Sequence, residues 1–233
     1  MNLFPRPQLP DLDELAIRHQ TDKSSLLNAF TEKYVPYLEP RRQDALTLLE
    51  IGVSTGGSLR MWRDYFPRGL ILGIDVVDAA LAIPNLPPGV RTHRVDQGDR
   101  AQLEAFATAV AGERGGFDLI VDDGSHLCAH QILAFKTLFP YLRPGGIYFV
   151  EDVTTSYRED PYGGGVGRPD SLLRFAQDLI PFIPMSMGGV PPREAWERDL
   201  DFVHVHGFGG LLAVGKLSAD RRARFYPPLP VSR

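Results

Sequence analysis

Leu48-Leu49-Glu50-Ile51-Gly52-Val53-Ser54-Thr55-Gly56-Gly57-Ser58 is the stretch on which the fold of this chain turns. A short apolar run ends in an acid, a glycine turn follows, and Ser58-Leu59-Arg60-Met61-Trp62 opens a helix. A strand feeding a helix through such a turn lets backbone approach a small polar ligand, and the free amides at the helix start favour negative groups. The spacing Gly52-x-x-x-Gly56-Gly57 is not the G-x-G-x-x-G of dinucleotide sites, and no Gly-Lys-Ser/Thr follows to make a P-loop.

Downstream of this unit the pattern alternates. Ala45–Val53, Leu70–Asp75, Val90–Val95, Phe117–Val121 and Ile147–Val150 read as strands. Between them, Gly57–Phe66, a helix capped by Asp99 and ended by Gly115-Gly116, and Ala129–Tyr141 read as helices; a proline-rich connection covers Ala79–Gly89. Strands separated by helices of this length argue for a parallel sheet with right-handed crossovers. A helix over Ser171–Ile180 follows, and Asp201–His206 with Leu211–Lys216 reads as an antiparallel hairpin. Upstream, Asp11–His19 is helical and Ser24 or Ser25 caps a second helix to about Leu38; Gln20-Thr21-Asp22-Lys23 between them reads as a solvated turn. The expected organisation is one domain over 1–233: a helical cap over 1–44, an α/β Rossmann-like core over 45–217 and an irregular tail over 218–233.

Composition narrows the partners. A net charge of −4 without a basic tract gives no electrostatic case for nucleic acid. No apolar run is long enough for a membrane span, the start lacks the run of a signal peptide, and Cys128 is the single cysteine, so a cytoplasmic protein is expected. No exposed apolar stripe marks an interface, although a homo-oligomer is compatible with the pattern.

The carboxyl edge of the strands is where open α/β sheets bind ligands. Here that edge is acidic throughout, with Glu50, Asp75, Asp96, Asp122-Asp123 and Glu151-Asp152. Acids are poor strand residues and costly to bury, so their recurrence calls for a ligand rich in hydroxyls, amines or positive charge. Asp75 stands where an acid grips a ribose diol, which suits NAD and S-adenosylmethionine (SAM) equally. The glycine turn and the surplus of acids favour the sulfonium cofactor. Gly52 and Ser58 would then hold its methionine end beside Glu50, and Asp96-Gln97 would read its adenine. Side chains alternate along a strand, so Asp122 is expected towards the cofactor and Asp123 towards the acceptor. Asp123, Glu151 and Asp152 make a repelling cluster of hard oxygens that a divalent cation, Mg²⁺ before zinc, would relieve. His126, three residues after Asp123, is the candidate general base, because imidazole exchanges protons near neutral pH. The loop Val153–Pro169, with Tyr157, Tyr162 and a run of glycines, has the length of a lid.

Glu50-Ile51-Gly52-Val53, Gly56–Trp62, Asp122-Asp123-Gly124-Ser125-His126, Leu138-Phe139-Pro140, Pro144-Gly145-Gly146 and Glu151-Asp152 together resemble the metal-dependent sugar O-methyltransferases of macrolide and other antibiotic pathways. Thr21-Asp22-Lys23 and Thr155-Ser156-Tyr157 resemble further stretches of that group. The resemblance implies a class I SAM-dependent methyltransferase fold with a mostly parallel seven-stranded sheet. It implies SAM and Mg²⁺ as cofactors, Asp123, Glu151 and Asp152 as metal ligands, His126 as base and a small-molecule sugar or glycoside as acceptor. A catechol or phenol O-methyltransferase satisfies the same metal logic. A nicotinamide oxidoreductase and a non-catalytic SAM-binding protein are the remaining alternatives.

Overall fold

The computed structural model describes residues 11–78, 82–184, 190–207 and 209–225. The expected irregular segments at the start and beyond residue 225, part of the 79–89 connection and Phe208 of the hairpin turn lie outside them. Helix α1 (Leu12–Arg18) starts at a capping box, in which Asp11 accepts from the Glu14 amide and the Glu14 carboxylate accepts from the Asp11 amide. Helix α2 spans Phe30–Leu38. Strand β1 (Thr47–Ile51) and helix α3 (Gly57–Tyr65) are the opening strand–turn–helix unit. Strands β2 (Leu70–Asp75) and β3 (Val90–Arg94), helix α4 (Arg100–Arg114) and strand β4 (Phe117–Asp122) continue the alternation. Helix α5 (Cys128–Leu138), strand β5 (Leu142–Val150), helix α6 (Leu172–Leu179), strands β6 (Leu200–His206) and β7 (Leu211–Lys216) and helix α7 (Ala219–Phe225) complete the order.

The sheet has seven strands in the order β3-β2-β1-β4-β5-β7-β6. β1 to β5 pair in parallel, whereas β7 runs antiparallel to both β5 and β6. This is the class I SAM methyltransferase sheet that was expected.

Period-two alternation divides the core into two layers. Leu49, Ile51, Leu72, Ile120, Tyr148 and Val150 face α4, α5 and α6, packing with Leu103, Phe135 and Leu172. Leu48, Ile71, Leu119, Val121 and Phe149 face the other way, against Leu15, Tyr34, Leu59 and Trp62 of α1 to α3. Continued past the strand ends, the same alternation sends Glu50, Asp123 and Glu151 to the α1–α3 side and Asp122 to the opposite side.

Three local expectations change. The second helix begins at Phe30, not at Ser24 or Ser25, because Asp13 of α1 takes the Ser25 amide at 2.7 Å and the Ser25 hydroxyl at 2.5 Å. The Thr31 hydroxyl joins the same carboxylate at 2.7 Å, so residues 24–28 fold back as turns. Strand β5 starts at Leu142 and runs through Pro144-Gly145-Gly146, with the irregularity absorbed by a register shift opposite Phe117 and Leu119. The expected irregular tail opens with α7, where the Ser218 hydroxyl accepts from the Arg221 amide at 3.3 Å and caps the turn.

Candidate active site

The glycine turn puts its backbone where the strand ends converge. Gly52 has φ +88, and a Cβ on it would collide with the Asp123 carbonyl, so the β1 and β4 ends touch only because no side chain stands between them. Gly52→Ala is therefore expected to cost about 2 kcal/mol or more of stability, measured by chemical denaturation. Wild-type stability would mean that the two loops can separate freely. Asp75 ties the turn to β2: its Oδ2 accepts from the Val53 amide at 2.9 Å and its Oδ1 from the Val77 amide at 2.8 Å.

Two adjoining cavities of about 420 and about 390 Å³ follow this edge and share Gly52, Asp75 and Gly124. The first is bounded by Thr21, Asp22, the Val53–Thr55 backbone, Ser58, Asp123 and His126. Ile51, Ile74, Val95, Asp96, Gln97 and His130 bound the second. Together they make an elongated cleft, polar at one end and largely apolar at the other. A larger cavity of about 640 Å³ lies beyond His130, against Ile132, Tyr162 and Phe175, and the strand-end acids do not line it.

The expected cofactor residues therefore divide into two groups. Gly52, Ser58, Asp75, Asp96 and Gln97 line the cleft. Glu50 and Asp122 do not. Asp122 is fully buried on the α4–α6 side of the sheet, behind Gln97, accepting from Gln97 Nε2 at 2.6 Å and from the Tyr148 hydroxyl at 3.3 Å. Gln97 Oε1 accepts in turn from the Ser125 amide at 2.9 Å, so Asp122 fixes the cleft wall rather than touching a ligand there. Burial pushes the Asp122 carboxyl up to about 7.

Glu50 faces the α3 side, fully buried, where it accepts from the Ser58 hydroxyl at 2.8 Å and Trp62 Nε1 at 3.3 Å. Burial lifts it to about 7, against the pull of the Lys23 ammonium.

Lys23 is the residue that reading the sequence as a solvated turn missed. Its side chain is fully buried, with Nζ donating to Asp123 Oδ2 at 2.5 Å and Glu151 Oε2 at 2.9 Å. Glu50 Oε1 stands 3.5 Å from the same nitrogen. Tyr34 closes the group, its hydroxyl donating to Glu151 Oε1 at 2.5 Å. Burial would lower the Lys23 ammonium, but the charges of Asp123, Glu151 and Glu50 raise it well above its ordinary value. Glu151 is pushed upward by burial and by Asp123, with Lys23 opposing. The signals available in the sequence were the charges of Asp22 and Lys23 between two amphipathic helices and the resemblance of Thr21-Asp22-Lys23 to the sugar O-methyltransferases.

On the cleft side, ligand atoms of Asp123, His126 and Asp152 lie within 4.8 Å of one another. His126 Nε2 stands 3.7 Å from Asp152 Oδ2. Both residues hold left-handed backbone, with φ 57 at His126 and φ 53 at Asp152, a strained geometry that the surrounding strand ends enforce. His126 Nδ1 is buried without a hydrogen-bond partner among the described residues. Burial raises the Asp152 carboxyl, with His126 opposing. The two carboxylates suit a hard divalent cation, which prefers oxygen ligands to the imidazole beside them. Glu151, expected as a third ligand, adjoins this group and bonds Lys23 Nζ and the Tyr34 hydroxyl.

The loop after β5 is stapled to α5, the Cys128 amide donating to the Tyr162 carbonyl at 2.9 Å. His204 and His206, on the outer strand, both bond the Tyr37 hydroxyl and stand apart from the acids.

Residues 49–153 match a family described as a methyltransferase domain. The chain is 44% identical to the 8-demethyl-8-alpha-L-rhamnosyl tetracenomycin-C 2'-O-methyltransferase of Streptomyces olivaceus, over 64% of this chain and 39% of that protein. It is 41% identical to the mycinamicin VI 2''-O-methyltransferase of Micromonospora griseorubida, over 89% of this chain and 53% of that one. Among solved structures, the MycE methyltransferase of the mycinamycin pathway, in complex with Mg, SAH and mycinamycin VI, superposes with a TM-score of 0.79 at 34% identity, covering 91% of this chain and 55% of that chain. The chain thus spans about half the length, or less, of these relatives. No helix among the described residues is long and apolar enough to cross a membrane.

Proposed function

We propose that this chain, which is similar over much of its length to sugar O-methyltransferases of antibiotic biosynthesis, transfers a methyl group from SAM to a sugar hydroxyl of a natural-product glycoside, with Mg²⁺ as cofactor. The observation that carries this reading is the meeting of Asp123, His126 and Asp152, the first two of which line the polar end of the cleft beside the Gly52–Ser58 turn.

In this reading the methionine end of SAM lies along the Val53–Thr55 backbone. Its adenosine occupies the apolar half, between Ile51 and Val95, with Asp96 and Gln97 at the rim. Asp75 keeps lone pairs for a ribose diol, since a carboxylate accepts more bonds than the loop amides use. Asp123, Asp152 and the neighbouring Glu151 would hold Mg²⁺, which when bound acidifies a coordinated hydroxyl. Mg²⁺ prefers oxygen, so His126 Nε2 is left free to take the proton from the acceptor hydroxyl. The resulting oxygen attacks the methyl in line with the departing sulfur, and positioning supplies much of the rate. The loop carrying Tyr157 and Tyr162 would cover the acceptor and exclude water.

Mass spectrometry of SAM reactions with a panel of rhamnosides, other deoxysugar glycosides and catechols tests this. Methylated glycoside and S-adenosylhomocysteine are the expected products. Turnover of catechols alone would replace the sugar by a phenolic acceptor, and calorimetric binding of NAD(P) without SAM would replace the chemistry altogether.

A further inference from the structure

The outer strand of the sheet carries a second constellation, one that methyl transfer does not use. His204 and His206 stand two residues apart on β6, so alternation puts both rings on one face. Tyr37 of α2 packs on that face, against both rings and against Phe149 and Phe202. Its hydroxyl meets His204 Nδ1 at 2.9 Å and His206 Nε2 at 2.8 Å. A hydroxyl has one proton, so it donates to one imidazole and accepts from the N–H of the other. Two imidazole nitrogens and a phenol oxygen thus converge on one point. His204 is exposed and His206 half-buried, so an ion from solvent can reach it.

We propose that His204, His206 and the Tyr37 oxygen form a second cation site, one for a borderline transition ion such as Zn²⁺ rather than for Mg²⁺. Imidazole suits zinc, copper and nickel, whereas magnesium prefers oxygen. Ligands about 2.0–2.1 Å from a tetrahedral zinc lie about 3.3 Å apart. Each nitrogen therefore need draw back from the Tyr37 oxygen by only about 0.5 Å, a small ring movement on an outer strand. Burial, with the charges of His204 and Lys33, holds His206 below its ordinary value, which keeps the ring neutral and able to ligate near neutral pH. Ligation by Tyr37 releases its phenol proton to water, against a burial that raises this hydroxyl, so the imidazoles supply most of the affinity. The bound ion bolts α2 to the outer hairpin and stabilises the folded chain by mass action.

Calorimetric titration of tag-free protein with Zn²⁺ tests this on the wild type, on His204→Gln and on His206→Gln. Zn²⁺ that enters the acid cluster does so in all three proteins, so the site is read as a difference and does not depend on the Mg²⁺ reading. Each variant is expected to lose one Zn²⁺ per chain that the wild type binds, or to hold it at least about tenfold more weakly. Zn²⁺ should also raise the melting temperature of the wild type more than that of either variant. The exposed position of His204 keeps the comparison open even if the half-buried His206 is needed for folding. A His204→Gln protein that is folded by circular dichroism, yet binds as many Zn²⁺ ions as the wild type and as tightly, overturns the site.

Discussion

Replacing His126 by asparagine is expected to lower turnover by about 10²–10⁴-fold while leaving SAM affinity unchanged. Asparagine is the informative substitution, because His126 has φ 57, a left-handed conformation that asparagine accepts more readily than alanine does. The loop geometry survives and the proton acceptor is lost. The imidazole lines the polar cavity together with Asp123, and its Nε2 lies 3.7 Å from Asp152, so it borders the proposed acceptor position. Single-turnover kinetics paired with SAM calorimetry separates chemistry from binding. Wild-type turnover in a variant that binds SAM would move the base elsewhere.

The second large effect is expected from the metal. Chelation with EDTA should reduce turnover by about 10³-fold, since polarising the acceptor oxygen is worth several kcal/mol, and added Mg²⁺ should restore it. SAM binding should persist, because the cleft wall formed by Gly52, Asp75 and Gln97 does not depend on the ion. Asp152→Asn is the matching substitution: φ 53 suits asparagine and only the charge is removed. Its turnover should fall comparably and respond only to raised Mg²⁺. Full activity in EDTA would end the metal's role, whatever Asp152→Asn does.

Much of the molecule can be read along the chain. The glycine turn after Glu50, the alternation of strands and helices and the closing hairpin all appear as local periodicities and breakers. Asp75, Asp96 and Gln97 could be placed at the cleft for the same reason, since a residue at the end of a parallel strand has little choice of edge. Alternation also separates Asp122 from Asp123. It did not say which face holds the ligand, and Asp122 went to a buried bond with Gln97 and Tyr148 rather than to the cleft.

The acid cluster was decided elsewhere. Lys23 meets Asp123 across 100 residues of sequence and Glu151 across 128, and Tyr34 meets Glu151 across 117. No local pattern encodes pairings of that span. The same Thr-Asp-Lys triplet is good turn chemistry in water and a buried cation here, according to whether α1 and α2 pack on the sheet. The sequence alone determined the fold class and a row of acids along one edge of the sheet. Only tertiary packing decided which of them line the cleft, Asp75, Asp96 and Asp123, and which are buried away from it, Glu50, Asp122 and Glu151. The physical reason is desolvation: carboxylates carried inward by strand alternation need a buried partner, and the packing of the N-terminal helices supplies it to Glu50 and Glu151 as Lys23.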